Sequence, residues 1–114
     1  MANGFTVNLG GEGEVPGVLN QQPPWALSRG WRSTTLGNPG KTIRELEAEG
    51  HQFVIAPNDR LPFADESVDV VYTNGVPIDV TTWHGPGVQS SEIRRILKPG
   101  GIWIRDRCVR YRKP

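Results

Sequence analysis

Short apolar runs, separated by turn-forming stretches, mark the secondary structure of this chain. Residues 5–9 and 18–21 have the composition of two short strands, with a glycine-rich turn between them. Residues 68–73 are apolar and β-branched and give the clearest strand pattern, and further strands are expected at 52–55 and 102–104. About eight residues separate the first two strands, too few for a helical crossover. This first unit is therefore abbreviated, or its strands are not simple neighbours.

Helical patterns fall between the later strands. Residues 41–50 carry apolar side chains at Ile43 and Leu46 and end at a glycine, which predicts a helix. A second helix is predicted over residues 87–97, and Pro99-Gly100-Gly101 would end it. Strand and helix alternate after residue 40, which favours an α/β fold with an abbreviated Rossmann-like parallel or mixed sheet and helices on its faces. The 114 residues are expected to form one domain.

Ligands of parallel α/β sheets bind beyond the carboxyl ends of the strands. That rule selects four loops, at residues 10–14, 21–32, 57–60 and 74–85. Three of the four tryptophans and three arginines fall in these loops; the residues are Trp25, Trp31, Trp83, Arg29, Arg32 and Arg60. The aromatic rings could stack on a planar base or simply cover a small core.

Charge is nearly balanced, with 13 basic and 12 acidic residues, so no overall field favours nucleic acid or a membrane surface. Residues 105–114 are locally basic, which is typical of a solvated tail or of a strip that contacts phosphates. The single cysteine, Cys108, excludes an internal disulfide and a cysteine-based metal cluster, and no metal site is expected. No apolar run has the length of a membrane span.

Two motifs at a set distance are the most informative feature of the chain. Leu61-Pro62-Phe63 precedes Asp65, Ser67 and the strand Asp69-Val70-Val71, and Leu97-Lys98-Pro99-Gly100-Gly101 follows the second helix. This arrangement resembles the second half of the class I S-adenosylmethionine-dependent methyltransferase fold. The resemblance extends from Thr6 to Ile104 and implies a domain that binds S-adenosylmethionine and methylates a small molecule, a nucleic acid or a protein.

The resemblance also implies where the cofactor binds. The glycine turn would let the backbone approach the methionine part of the cofactor, because glycine has no Cβ and tolerates positive φ; its residues are Asn8, Gly10, Gly11, Glu12 and Gly13. A plain hairpin turn is the alternative. Gln22 stands where the family has an acidic residue that binds the ribose hydroxyls, and an amide forms weaker hydrogen bonds there than a carboxylate.

A second departure from the family pattern precedes Leu61. Relatives often have an aspartate that binds the adenine amino group, but Pro57 occupies that position in this chain and Asn58 the next one. Asp59 could substitute if the loop shifts. For catalysis, His84 is a candidate base or substrate contact, and Asp79 could orient it. Ordinary surface and turn roles are the alternatives for both residues.

Two other functions are considered. Short methyltransferase-like domains with a similar N-L-G-G-E-G-E-x-P-G start resemble C-terminal effector domains of bacterial polymorphic toxins. Such a domain would be secreted as part of a larger effector, act on RNA or a nucleotide and bind an immunity protein, whereas a housekeeping methyltransferase would be cytoplasmic. A binding module that has lost its catalytic site is the other alternative.

Overall fold

The computed structural model of the protein describes residues 4–28, 30–35, 37 and 39–114. Arg29, which was considered beside the tryptophans, lies outside the described residues. The elements follow each other along the chain as β1 (Thr6–Leu9), β2 (Leu19–Gln22), α1 (Trp25–Ser28), α2 (Ile43–Ala48), β3 (Phe53–Ile55), β4 (Val68–Thr73), β5 (Thr81–Thr82), β6 (Gly85–Pro86), α3 (Ser90–Ile96), β7 (Leu97–Arg105) and β8 (Cys108–Arg112).

Six strands form one sheet in the order β3-β2-β1-β4-β7-β8. The first five are parallel, and only β8 runs antiparallel, against β7. A separate hairpin pairs β5 with β6. This architecture confirms the predicted α/β class with a mostly parallel, Rossmann-like sheet. The strand order reverses between β1 and β4, so the loops that follow these two strands diverge there and leave room for a ligand.

One face of the sheet carries the main core. Val7 and Leu9 of β1, Val71 of β4 and Trp103 of β7 point to this face and are almost completely buried. They pack against Ile93 and Ile96 of α3 and against the loop residues Leu61, Ile78 and Val88. Alternate positions point to the opposite face and are only half-buried; they are Thr6, Val70, Tyr72, Ile102 and Ile104.

The connection between β1 and β2 contains no helix. The two strands are nevertheless parallel neighbours, with Val7, Asn8 and Leu9 opposite Leu19, Asn20 and Gln21. Of the two alternatives offered by the sequence, the abbreviated unit is therefore correct. A parallel pair normally needs a longer crossover, and the glycines of the turn allow this short one because three of them have positive φ: Gly10, Gly13 and Gly17.

Two sequence interpretations need correction at the carboxyl end. The helix α3 ends at Ile96, and Pro99, Gly100 and Gly101 lie inside β7 rather than ending the helix. The basic residues after Arg105 do not form a free tail, because Arg110 and Arg112 belong to the edge strand β8. Lys113 is also fixed: its Nζ donates to the carbonyls of Arg94 and Leu97 at 2.7 and 2.8 Å. In the part of the chain that the structure describes, no helix is long and apolar enough to cross a membrane.

Candidate functional site

The glycine turn after β1 is packed tightly against the protein itself. A Cβ on Gly10 would lie 2.3 Å from Cγ1 of Val76, and one on Gly11 would lie 2.3 Å from Oδ1 of Asn20. A Cβ on Gly13 would meet the ring of His51 at 2.7 Å. Glycine is therefore required at these positions by neighbouring side chains, whatever ligand the turn also contacts.

Gln21, which sequence reasoning did not select, connects the loops at the carboxyl ends of three strands. Its Oε1 accepts a hydrogen bond from the backbone N–H of Gly10 at 3.0 Å. Its Nε2 donates to the carbonyl of Ala56 at 2.8 Å and to Oδ1 of Asn58 at 3.0 Å. The side chain is completely buried, so this network fixes the loops that follow β1 and β3 relative to β2.

A narrow crevice of about 170 Å³ opens beside this network. Its walls come from the loops after β1, β2, β3 and β4, and among its lining residues are Gly10, Glu12, Gln22, Trp25, Trp31, Asn58 and Val76. Four residues predicted to bind the cofactor thus lie around one space, since Gly10, Glu12, Gln22 and Asn58 are all among them. Within the crevice wall, Gln22 donates from Nε2 to the carbonyl of Gly11 at 3.0 Å.

A wide cavity of about 710 Å³ adjoins the crevice and shares Glu12, Gly75 and Val76 with it. It lies between the loops after β1 and β4, where the strand order reverses, and its volume is within the usual range of about 300 to 1,000 Å³ for ligand pockets. Further lining residues are Glu14, Val15, Thr34, Thr35, Gly37, Tyr72, Asn74, Asp106 and Arg107. Glu14 and Asn74 lie in two of the loops that the sequence selected, at residues 10–14 and 74–85, but the sequence did not indicate that these residues are neighbours, because they meet only through the strand order.

Two glutamates connect the walls of the wide cavity. Oε1 of Glu12 accepts hydrogen bonds from the N–H groups of Thr34 and Thr35, at 2.8 and 2.9 Å, and from the Thr35 hydroxyl at 2.8 Å. Glu14 accepts from the Glu12 N–H at 2.8 Å and from Nδ2 of Asn74 at 3.0 Å. Glu14 therefore bridges the loops after β1 and β4.

The structure does not bring the two candidate catalytic residues into contact with each other. His84 lies at the tip of the β5–β6 hairpin and stacks on Trp25, with ring centroids 3.9 Å apart and planes inclined by 11°. Asp79 accepts hydrogen bonds from the N–H and hydroxyl of Ser90, at 2.8 and 2.6 Å, and so caps the first turn of α3. The hydrogen bond from the Ser90 hydroxyl, followed by the one from the Ser90 N–H, holds the pKa of the Asp79 carboxyl below its usual value.

Asp59 and Leu61 lie away from both cavities. Asp59 is exposed and lines neither one. Leu61 is a buried member of the core, and its N–H donates to Oε1 of Glu92 at 2.8 Å. The sequence motif that contains Leu61 therefore has a structural role. Asn58 of the preceding turn remains at the crevice, where its Nδ2 donates to the carbonyl of Pro86 at 3.0 Å.

The walls of the two spaces fit the cofactor that the resemblance implied. Amide side chains that could bond hydroxyl groups are present at Gln22 and Asn58, and two indole rings, of Trp25 and Trp31, could pack on a planar base. The crevice alone is too small for a complete nucleoside cofactor, but the wide cavity continues it past Glu12 and Val76. Among the described residues, no group of three or more His, Cys, Asp or Glu could hold a metal ion.

Comparison with known proteins places the chain in a family. A family model described as a methyltransferase domain matches residues 26–104, well over half of the chain. The match starts after the glycine turn and Gln22 and includes Asn58, Asp79 and His84. A sterol 24-C-methyltransferase of Gibberella zeae is 44% identical over 54 residues, which are 46% of this chain and 13% of that protein. The chain thus spans only a small part of this relative's length. The α/β sheet, the ligand-sized spaces at its strand ends and the family match together show that the chain belongs to the methyltransferase domain family.

Proposed function

We propose that this chain binds S-adenosylmethionine and transfers its methyl group to a small-molecule acceptor. Gly10, Gln22 and Asn58 would hold one part of the cofactor at the narrow crevice, and the wide cavity that continues the crevice would take the rest of the cofactor and the acceptor. When bound, the cofactor supplies an activated methyl group, so the protein mainly has to position the acceptor and exclude water.

One observation carries this proposal. Residues at the carboxyl ends of β1, β2 and β3 that were selected from the sequence as cofactor-binding lie around a single crevice of the sheet. Doubly wound α/β folds bind nucleotide ligands at this place. The relative that matches 46% of the chain is itself a methyltransferase by name, which agrees with the proposed reaction.

The residues that act on the acceptor remain a prediction. His84 is exposed and stacks on Trp25 at the crevice, so it could contact an acceptor or serve as a base there. Asp79 holds α3 through Ser90, and a role in orienting His84 has no contact in the described residues to support it. We therefore propose His84 rather than Asp79 for mutational tests of catalysis.

Ligand binding and tryptophan fluorescence test the proposal together. Calorimetry should detect binding of S-adenosylhomocysteine, the demethylated product, and the ligand should change the fluorescence of the protein because Trp25 and Trp31 line the crevice. The Trp31→Phe variant should lose part of this change. In the control variant Trp83→Phe the change should persist, because Trp83 is 94% exposed and lines neither cavity. Absence of binding to the wild-type chain would contradict the proposal.

The toxin hypothesis stays a prediction that concerns the biological setting rather than the site. It rests on the resemblance of residues 8–17 to effector domains, and it implies an immunity protein as partner and secretion within a larger effector. Expression in a bacterial host without a partner separates the hypotheses: growth arrest that the His84→Ala variant relieves would favour an effector, and normal growth would favour a housekeeping enzyme.

A further inference from the structure

The β5–β6 hairpin extends from the wall of the narrow crevice. Its base is fixed in the core, where Ile78 and Val88 are buried. The backbone N–H of Asp79 donates to the carbonyl of Val88 at 2.9 Å and closes this base. Pro77 and Val88, which precede and follow the hairpin, both line the crevice. The hairpin therefore begins and ends at the crevice, and its tip is carried by a fixed base.

Two aromatic side chains follow each other at the hairpin tip and differ in what they contact. The ring of His84 stacks on Trp25 of α1, with centroids 3.9 Å apart and planes inclined by 11°. The neighbouring Trp83 is 94% exposed and has almost no contact with the rest of the chain. The His84 N–H donates to the hydroxyl of Thr82 at 3.2 Å, which holds the turn that carries the ring. The contact with Trp25 is therefore specific to His84.

Trp25 depends on this contact, because its own helix is short. It is the first residue of α1, which has four residues, and a helix of one turn is not stable by itself. The indole ring is half-buried and lines the crevice. Within the described part of the chain, the imidazole of His84 is the only aromatic ring that it contacts. Stacking on His84 therefore selects one orientation of the Trp25 side chain.

The same part of the hairpin also contacts a second crevice residue. The carbonyl of Pro86 accepts a hydrogen bond from Nδ2 of Asn58 at 3.0 Å. On its other side, Asn58 accepts from Nε2 of the buried Gln21 at 3.0 Å. The amide of Asn58 is thus oriented from both sides. Residues 84–86 of the hairpin therefore contact two crevice walls, one in α1 and one in the loop after β3.

His84 itself is exposed and does not line the crevice. Its effect on a ligand in the crevice therefore passes through Trp25. A side chain that is already fixed loses less conformational entropy when a ligand binds, which increases affinity. Flat rings favour stacked arrangements with other flat rings, so an oriented indole in the crevice wall suits a planar base.

We propose that His84 is a positioning residue, which fixes Trp25 in the crevice wall so that the indole ring packs on the planar base of the bound nucleoside ligand. This role uses the flat ring of His84 and not its proton, and so differs from a role as a base. The nucleoside nature of the ligand rests on the proposed function, whereas the fixing of Trp25 by His84 does not.

Substitutions at the hairpin tip separate the two roles of His84. Calorimetry with S-adenosylhomocysteine and the full chain measures the affinity of each variant. His84→Ala removes the ring and should weaken binding about fivefold, as expected for the loss of one aromatic contact. His84→Phe keeps a flat ring without a titrating proton and should bind nearly as tightly as the wild type. The control Trp83→Ala should leave the affinity unchanged, because its side chain has almost no contact with the chain.

A role as a base alone gives a different result, since binding of the product would then be equal in the wild type and in both His84 variants. Equal affinities would overturn the proposal. A His84→Phe protein that binds as weakly as His84→Ala would also overturn it, because the flat ring would then not be the required group. Urea unfolding of each variant shows that the affinities belong to folded protein.

A double-mutant cycle tests whether His84 acts through Trp25. In a Trp25→Leu background, which itself should bind more weakly, His84→Ala should cause no further loss of affinity. Additive losses would show that His84 contributes independently of Trp25 and would refute its assignment as a positioning residue.

A measurement without ligand separates failure of this inference from failure of the proposed function. His84→Ala should change the near-ultraviolet circular dichroism of the wild type, because the stacked indole loses its fixed orientation, and should leave that of Trp25→Leu unchanged. If this pattern is found in a chain that does not bind S-adenosylhomocysteine, the proposed function is refuted and the fixing of Trp25 is retained. An unchanged spectrum of His84→Ala in the wild-type background would overturn the inference, whatever ligand binds.

Discussion

The glycine turn shows that a residue expected to admit a ligand can instead be required by packing. The sequence suggested that Gly11 lacks a side chain to admit the cofactor, but its missing Cβ faces Asn8 and Asn20 of the adjacent strands. Its N–H donates to the carbonyls of Asn8 and Gln21, at 3.1 and 3.2 Å. Gly11 therefore joins β1 to β2 in the absence of a connecting helix, and its substitution should affect folding before it affects binding.

We predict that Gly11→Val lowers the free energy of unfolding by about 2 kcal/mol or more, because the new side chain must displace buried asparagine side chains. Urea denaturation followed by circular dichroism measures this change. The control Gly37→Ala should be close to neutral, since a Cβ at Gly37 would meet nothing within 4 Å. A Gly11→Val protein as stable as the wild type would show that the turn is looser than described.

Among the elements, the loop before β4 and helix α3 are joined by the residues that make the sequence recognisable. The guanidinium of Arg95 donates to the carbonyls of Leu61 and Phe63, at 3.0 and 2.8 Å, and to the carboxylates of Asp65 and Glu92, both at 2.9 Å. The hydrogen bond with Arg95, more than burial, sets the pKa of Glu92, which is below its usual value. The diagnostic motifs are thus a structural connection between two elements, which explains why they predicted the fold better than the site.

We predict that Arg95→Lys destabilises the protein by about 2 kcal/mol, because an ammonium group cannot reproduce the planar fork of donors that reaches four acceptors. Thermal and urea unfolding measure the loss. Its neighbour Arg94 has an exposed side chain, and Arg94→Ala should change stability by less than about 0.5 kcal/mol. Equal effects at the two positions would refute a special role for Arg95.

At the scale of the whole molecule, the sheet is covered by few helices, and its stability depends on how its edge strands are protected. The antiparallel strand β8 covers β7, and exposed arginines along β8 discourage pairing with another chain. The same arginines were considered as a strip for phosphate. Their position on an edge strand gives them a structural role, and contact with phosphate stays a prediction.

We predict that removal of residues 108–114 exposes the β7 edge and produces a less stable, self-associating protein. The truncation also removes the Lys113 ammonium from the carbonyls of Arg94 and Leu97 at the end of α3. Light scattering and thermal unfolding at several protein concentrations measure both effects. A monomeric truncated chain of wild-type stability would show that β8 is dispensable.

Local residue patterns were enough to predict the α/β class, the strands β1 to β4 and the two main helices, because burial and backbone preference act over a few neighbouring residues. The resemblance to the methyltransferase family, rather than these patterns, indicated the crevice residues Gly10, Gln22 and Asn58. The rest depended on strand order. Glu14 meets Asn74 across 60 residues of sequence because β1 lies beside β4, and Gln21 meets Asn58 across 37 because β2 lies beside β3. Tertiary packing therefore determined which carboxylates come together around the wide cavity, since no short-range pattern specifies which distant loops a sheet brings together.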